Sequence, residues 1–368
     1  ISRTFVKPGQ VVMTNYHFTT MLAHINEVGG RVIELLRDEA LELKSDNPFK
    51  GNIDIDKLVK SIEEVGAQNV AYIRMEASTN LIGGQPFSIR NMMDVRQVAD
   101  KYGIMLVLDA SLLGENAYLV KQREEQWKEN SMADIIKMMT GLADLVYFSA
   151  RKLTSSRGGG ICTNNPKLYK QMEPLIPLFE GFLTYGGMSI REIEAMAVGI
   201  YETIDETMIS QSVDFIKYCV ESAVKAGIPM VTPPGVLGAH VNAGEFCAHI
   251  PQNEYPAGAL AAAFYICSGV RGMERGTMSS VRDENGVEIP ADVELMRLAF
   301  PRRVFTLSQT KYVVDRLAWL YENRHLIGGL QWVDEPKVLR FFFGRLEEIG
   351  YWQEELAKKF REDFGESL

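Results

Sequence analysis

No apolar run in this sequence is long enough to span a bilayer, which argues against a helical membrane protein. Cysteine is scarce. Cys162, Cys219, Cys247 and Cys267 stand far apart with no CxxC among them, so the reading is four free thiols rather than a disulfide framework. The five histidines (His17, His24, His240, His249, His325) show no metal-ligand spacing, and no metal site is read from them. Positive charge is in the minority, 39 Lys and Arg against 48 Asp and Glu. The resulting net charge of −9 argues against a nucleic-acid or anionic-membrane partner. No signal peptide opens the chain, which points to a cytoplasmic protein. Internal repeats and low-complexity tracts are absent.

What remains is an ordinary globular composition, 46% hydrophobic and 24% charged over 368 residues, enough for two domains. The chain starts at Ile1 and runs directly into a strand at Val11 to Thr14, so it reads as a fragment. Further strands are expected at Arg31 to Leu35, Val70 to Glu76, Ile104 to Leu108 and Asp144 to Tyr147. Between them lie helical patterns at Asp56 to Val65, from the Ser88 cap to Tyr102, at Glu115 to Lys128 and at Ser131 to Leu142. Gly103 is the stop signal of the second of these. Strand alternating with helix predicts βαβ units and a mostly parallel sheet. Helices are expected again at Pro166 to Phe179, Ser189 to Ile204 and Ser210 to Ala226. After about Glu206 the elements shorten and prolines gather in turns, which places a domain boundary near residue 206. Residues 1–206 form the larger domain and 207–368 a smaller α+β one.

The stretch that carries most chemistry is Phe148-Ser149-Ala150-Arg151-Lys152. It leaves an apolar strand read as buried and parallel, and a glycine-rich turn, Arg157 to Cys162, follows it into another short strand. Ligands of open α/β sheets bind at such strand ends. Lys152 is placed to form an imine, with Ser149 and Arg151 placed to hold an anion. An aldehyde and a phosphate on one molecule suit that set, and pyridoxal phosphate carries both. The opposing reading is a solvated surface lysine. No glycine-rich loop at a helix N-terminus joins Ser149 and Arg151, so these residues alone are expected to hold the phosphate weakly.

Other positions gain meaning beside Lys152. Asp109 closes an apolar strand and needs a partner there; a pyridinium N–H is one, and a helix cap near Glu115 is the plain alternative. Phe18 can stack on a planar ring or be a core aromatic. Asn80 can donate to a ring oxygen or simply turn the chain. Arg297 interrupts an apolar segment, as a carboxylate clamp or as half of a structural ion pair.

A further set of segments runs through nearly the whole chain: Lys7-Pro8-Gly9-Gln10, Phe49-Lys50-Gly51-Asn52, Asn80 to Pro86, Glu115-Asn116-Ala117-Tyr118, Glu180-Gly181-Phe182, Tyr185-Gly186-Gly187, Met273-Glu274-Arg275-Gly276, Pro301-Arg302-Arg303 and Glu335-Pro336-Lys337. On these segments the chain resembles the β-eliminating lyases, the family of tyrosine phenol-lyase and tryptophanase. The resemblance implies a fold-type-I pyridoxal-phosphate enzyme with a transferase-like α/β fold, a homotetramer that cleaves an aromatic amino acid to arene, pyruvate and ammonia. A monovalent cation such as K+ is implied as well. Position by position, Lys152 matches the Schiff-base lysine, Ser149 a phosphate ligand and Asp109 the pyridinium partner. Asn80 matches the ligand of the ring hydroxyl, Phe18 the stacking ring and Arg297 the clamp on the substrate carboxylate. Arg151 stands where the family has lysine. Thr19, Arg275 and Phe341 fall where the phenol-type pocket differs from the indole-type one, and all three favour tyrosine. Glu180 to Phe182 and Lys121 to Glu124 are closer to tryptophanase.

The sequence also departs from the family. Leu112 replaces an arginine three residues after the pyridinium aspartate, Leu153 replaces an aspartate, and Val236-Leu237 stands in place of a Gly-Gly-His. An N-terminal family segment has no counterpart here, and with it an acid toward the leaving group. These departures keep two rivals open: a lyase or aminotransferase acting on another amino acid, and a non-catalytic cofactor-binding or assembly protein.

Overall fold

The computed structural model describes all residues except 183, 184, 281, 284, 303, 337–339 and 366–368, together with the side chains of Phe182 and Tyr185. Arg303 and Lys337, quoted for the family resemblance, therefore lie outside the described residues. Two compact units result: Ile1–Ala40 with Asn47–Val213, and Leu41–Asp46 with Asp214–Leu368.

The first unit is built on a six-stranded sheet in the order β2-β1-β3-β4-β5-β6. The strands are β1 (Val11–Thr14), β2 (Arg31–Glu34), β3 (Val70–Glu76), β4 (Leu106–Asp109), β5 (Leu145–Ser149) and β6 (Gly159–Cys162). Strands β1 to β5 pair in parallel; the apolar residues of β1 and β4 and nearly all of those of β3 are buried, whereas β2 and, against the sequence reading of a buried strand, β5 beyond Leu145 are half-buried. One edge strand keeps the sheet mostly rather than wholly parallel, as expected: β6 folds back antiparallel on β5, pairing Tyr147 with Ile161 and Ser149 with Gly159. Glycines permit this return. A side chain at Gly159 would meet the Phe148 carbonyl oxygen at 2.4 Å.

The helices of this unit are α1 (Ser2–Phe5), α2 (Thr19–Glu27), α3 (Ile55–Val65), α4 (Ile89–Tyr102), α5 (Leu113–Arg123), α6 (Met132–Gly141), α7 (Ala150–Leu153), α8 (Pro166–Met172), α9 (Leu175–Phe179) and α10 (Ile190–Thr203). Their ends follow local chemistry. Ser88 accepts a hydrogen bond from the Asn91 N–H at the start of α4, and Gly103 takes the left-handed conformation at its end. Ser189 and Glu192 form a capping box on α10. The helix expected from Pro166 to Phe179 is split into α8 and α9 around Pro174, which has no N–H to continue the ladder.

The second unit has a three-stranded antiparallel sheet, β10 (Met273–Arg275), β11 (Leu295–Ala299) and β9 (Gly238–Asn242), in that order. Two short ribbons complete the strands: β7 (Gly181–Phe182) with β8 (Tyr185–Gly186) in the first unit, and β12 (Leu330–Asp334) with β13 (Arg345–Glu348) in the second. Helices α11 (Glu206–Lys225), α12 (Ala243–Phe246), α13 (Pro256–Ser268), α14 (Leu307–Glu322), α15 (Arg340–Phe343) and α16 (Trp352–Phe364) follow the chain to its end. Phe246, Phe264, Leu317, Leu356 and Phe360 form the heart of this unit's core. Leu237 holds a φ of +68°, a conformation that favours glycine. Among the described residues no helix is long and apolar enough to cross a membrane.

Candidate active site

In the first unit, four neighbouring parallel strands end side by side. Each delivers residues to the same edge. β1 leads through Tyr16 to Phe18, β3 ends at Glu76 and leads to Asn80, β4 ends at Asp109, and β5 ends at Ser149 just before Lys152. This is the carboxyl edge at which open α/β sheets bind ligands.

Lys152 sits in α7, a single helical turn whose first preceding residue is Ser149. Its Nζ lies 4.5 Å from the centroid of the Phe18 ring. Lys152 is half-buried, and its charge acts on both Asp109 and Glu76. Phe18 itself is the residue before α2, and it is half-buried. Thr19 follows as the first helical residue, half-buried. Asn80 is buried, and its backbone N–H donates to Glu76 Oε1 at 3.1 Å. Its loop is closed by the Thr79 N–H donating to the Gln85 carbonyl, a turn that needs the positive φ of Gly83 (+96°) and Gly84 (+63°). The Ser149 N–H donates to Ser111 Oγ at 3.1 Å, tying the lysine turn to the loop after Asp109. Arg151 is exposed.

Asp109 is not a helix cap; the residue before α5 is Leu112, which offers no side-chain cap. Its carboxylate accepts from Arg74 Nη2 at 2.6 Å, from the Tyr147 hydroxyl at 2.9 Å and from the Ser111 N–H at 3.0 Å. Burial alone would raise its pKa. Arg74, the Ser111 bonds and Lys152 together hold it below the usual aspartate value. Glu76 goes the other way: burial pushes it up, Arg74 only partly offsets this, and Asp109 adds to the rise. Neither Arg74 nor Glu76 was singled out in the sequence. The signal was there, as two charges two residues apart, hence on one face, inside a strand otherwise read as apolar.

The second unit holds the other candidates. Arg275 on β10 and Arg297 on β11 share one face of the sheet, and both direct an Nη2 at Met273 Sδ, at 3.5 and 2.7 Å. Burial, and then the nearby Arg275, lower Arg297 to about 9. The Arg275 guanidinium lies 5.8 Å from the centroid of the Phe341 ring. Glu274, the adjacent residue in β10, points to the opposite face and meets the Ser279 hydroxyl. Phe341 is carried by α15, which is pinned at its first residue. Arg340 pairs with Glu288 and with Glu335, and donates to the Thr277 and Ser280 carbonyls. This anchor too was not foreseen.

An amine, an aromatic face and a buried ionised carboxylate thus converge at one sheet edge. That donor chemistry fits a planar aldehyde-bearing pyridine. Arg74, Tyr147 and both the backbone and the side chain of Ser111 already donate to Asp109, which keeps its carboxylate ionised and fixed in place.

The comparisons with known proteins agree with this geometry. Residues 2–316 match the family model described as β-eliminating lyase. The chain is 42% identical over 349 residues to tyrosine phenol-lyase of Pasteurella multocida (strain Pm70), covering 94% of this chain and 76% of that protein. It is 39% identical over 347 residues to a second tyrosine phenol-lyase, from Fusobacterium nucleatum, covering 94% and 75%. Among solved structures, Bna3p of Saccharomyces cerevisiae, described as a putative kynurenine aminotransferase, superposes with a TM-score of 0.63 at 16% identity, covering 87% of this chain and 73% of that one. A structure described as SPT with PLP gives 0.57 at 11%, covering 89% and 70%. Such distant likeness speaks to the fold alone, which is that of the fold-type-I pyridoxal-phosphate enzymes. The chain belongs to the β-eliminating lyase family.

Proposed function

We propose that this protein is a pyridoxal-phosphate-dependent carbon–carbon lyase that eliminates the side chain of an aromatic amino acid, tyrosine in preference to tryptophan, to give arene, pyruvate and ammonia. The carrying observation is the convergence of Lys152, Phe18, Asn80 and Asp109 at one sheet edge in a chain 42% identical to a tyrosine phenol-lyase. Pyridoxal phosphate, when bound, supplies the electron sink for negative charge at the substrate α-carbon. Lys152 Nζ would hold the cofactor covalently and would take up the α-proton. Phe18 would stack on the ring, Asp109 would hold a proton on the ring nitrogen, Asn80 would donate to the ring hydroxyl, and Ser149 and Arg151 would bind the phosphate. Arg297 orients the substrate carboxylate through its fork of donors. Thr19 and Arg275 address the phenol hydroxyl, with Phe341 as an apolar wall.

The tyrosine preference rests on Arg275 and Phe341, which meet in the second unit, and on Thr19 in the first. A phenol hydroxyl can pair with a guanidinium in a way that an indole cannot, and a lost polar contact of this kind can cost several orders of magnitude in discrimination. The test is the ratio of kcat/KM for tyrosine and tryptophan in wild type and in Arg275→Ile. A wild-type ratio above one that collapses in the variant supports the reading. A tryptophan preference, or a ratio untouched by the change, overturns it.

We further propose residues 1–206 as the cofactor domain and 207–368 as the smaller domain, a homotetrameric assembly, a cytoplasmic location and a monovalent-cation requirement. The assembly is supported by apolar side chains left exposed on α9 and α10, among them Leu178, Phe179, Ile190, Val198 and Tyr201.

A further inference from the structure

Arg74 is the largest fully buried side chain of the first unit, on the central strand β3. A guanidinium has five N–H donors, and here five acceptors face it. Nε donates to Tyr147 Oη at 2.8 Å, and Nη1 to Thr14 Oγ1 and to the Tyr16 carbonyl, each at 3.2 Å. Nη2 donates to Glu76 Oε2 at 3.0 Å and to Asp109 Oδ2 at 2.6 Å. Tyr147 relays the contact, since its hydroxyl donates on to the same Asp109 oxygen at 2.9 Å. One fixed cation is therefore divided between two carboxyl groups, and Lys152 is the second positive charge acting on both.

This arrangement bears on the reading given above, on which it rests. An aspartate holds a proton on a pyridine nitrogen in proportion to its own basicity. Every donor already on the carboxylate lowers that basicity. A guanidinium in direct contact lowers it most, because opposite charge at such range shifts a carboxyl pKa by about 1 to 3 units. The arginine expected three residues beyond Asp109 is Leu112, which is buried and brings no charge. A guanidinium nonetheless reaches the site, from the neighbouring strand and to the carboxylate itself.

We propose that Arg74 is a positioning residue for this reaction: it orients the Asp109 carboxylate and sets how firmly Asp109 can hold a proton on the cofactor's ring nitrogen. All five Arg74 donors are taken up by protein acceptors, so Arg74 would act on the cofactor through Asp109. The groups facing Asp109 are Arg74 and Glu76 from β3, Tyr147 from β5, Ser111 from its own loop and Lys152 from α7. Among them Glu76 is the one that shares Arg74 Nη2 with Asp109.

Two measurements test this, the first without cofactor. Carboxyl titration by 13C NMR, with Asp109 assigned through Asp109→Asn, is compared in wild type, Glu76→Gln, Arg74→Lys and the charge-balanced pair Arg74→Met with Glu76→Gln. The paired variant is expected to raise the Asp109 midpoint by at least about one unit. Glu76→Gln alone, which leaves Arg74 wholly to Asp109, lowers it, and Arg74→Lys falls between. The second measurement is the 15N shift of pyridoxal phosphate labelled at its ring nitrogen. Its protonated fraction rises in the paired variant and falls in Glu76→Gln. Unchanged Asp109 midpoints across the series, or midpoints that move while the 15N shift does not, overturn the proposal and leave Arg74 a structural ion pair. If the paired variant does not fold, Glu76→Gln and Arg74→Lys decide the same question. If labelled cofactor fails to bind the wild type, the lyase reading falls, and the titration still judges the hold of Arg74 on Asp109.

Discussion

Replacing Glu274 by glutamine should stabilise the protein at alkaline pH and do little at acidic pH. The carboxyl is 3% exposed on β10. One oxygen meets the Ser279 hydroxyl, and the other has no hydrogen-bond partner among the described residues. Burial, reinforced by Glu294, raises its pKa from 4.5 to about 7. The folded state therefore holds this proton more tightly than the unfolded state. Stability from this group is intact below about pH 4.5, and it declines as pH rises through that value to about 7. The gap between 4.5 and about 7, at about 1.36 kcal/mol per unit, is worth about 3 kcal/mol once the group is fully ionised. Glutamine keeps the shape and carries no charge at any pH. Trp319, Trp332 and Trp352 lie in the same unit, so urea unfolding followed by tryptophan fluorescence in a Trp127→Phe background reports on it. The stability difference in favour of Glu274→Gln should grow by about 2 to 3 kcal/mol between pH 5 and pH 8, with an unchanged urea slope. A difference independent of pH would refute the buried, proton-holding carboxyl.

Three further outcomes follow from the same geometry. Borohydride reduction of cofactor-loaded protein, followed by peptide mapping, should place the label on Lys152, and label on another lysine would remove it from the central role. Asp109→Asn should slow turnover about a hundredfold, since one lost electrostatic contact of this kind is worth about 3 kcal/mol in the barrier; near-normal turnover would show that the carboxylate serves only Arg74. Arg340→Met should destabilise the second unit by roughly 1 to 3 kcal/mol, because the Thr277 and Ser280 carbonyls lose their buried donor while Glu288 and Glu335 keep Arg282 as a second shared cation. A shift in the urea midpoint too small to measure would show that α15 is held by other contacts.

Much of the first unit was legible in sequence because its signals are local. Val70 to Glu76 is a strand over those same residues, and Ser88 and Gly103 bound their helix as their chemistry requires. Lys152, Asp109, Phe18 and Asn80 were each named in the sequence, and their grouping follows from the parallel order of β1, β3, β4 and β5. What escaped was non-local. Nothing in the six residues Leu41–Asp46 announces that they join the second unit, where the Thr232 N–H donates to the Leu43 carbonyl and Lys44 pairs with Glu245. Arg74 and Glu76 were passed over because periodicity averages a strand. Two charges among Val70, Tyr72, Ile73 and Met75 vanish in that average, although burying them together dictates the electrostatics of the site.

The central claim is a lysine-dependent, carbon–carbon bond-breaking reaction on tyrosine. The most direct measurement incubates the protein with pyridoxal phosphate and tyrosine and quantifies phenol, pyruvate and ammonia, beside Lys152→Ala. Equimolar release of the three, abolished by the alanine change, is the predicted result. Formation of a 2-oxo acid that keeps the phenol ring, or product release that survives the loss of Lys152, would contradict it.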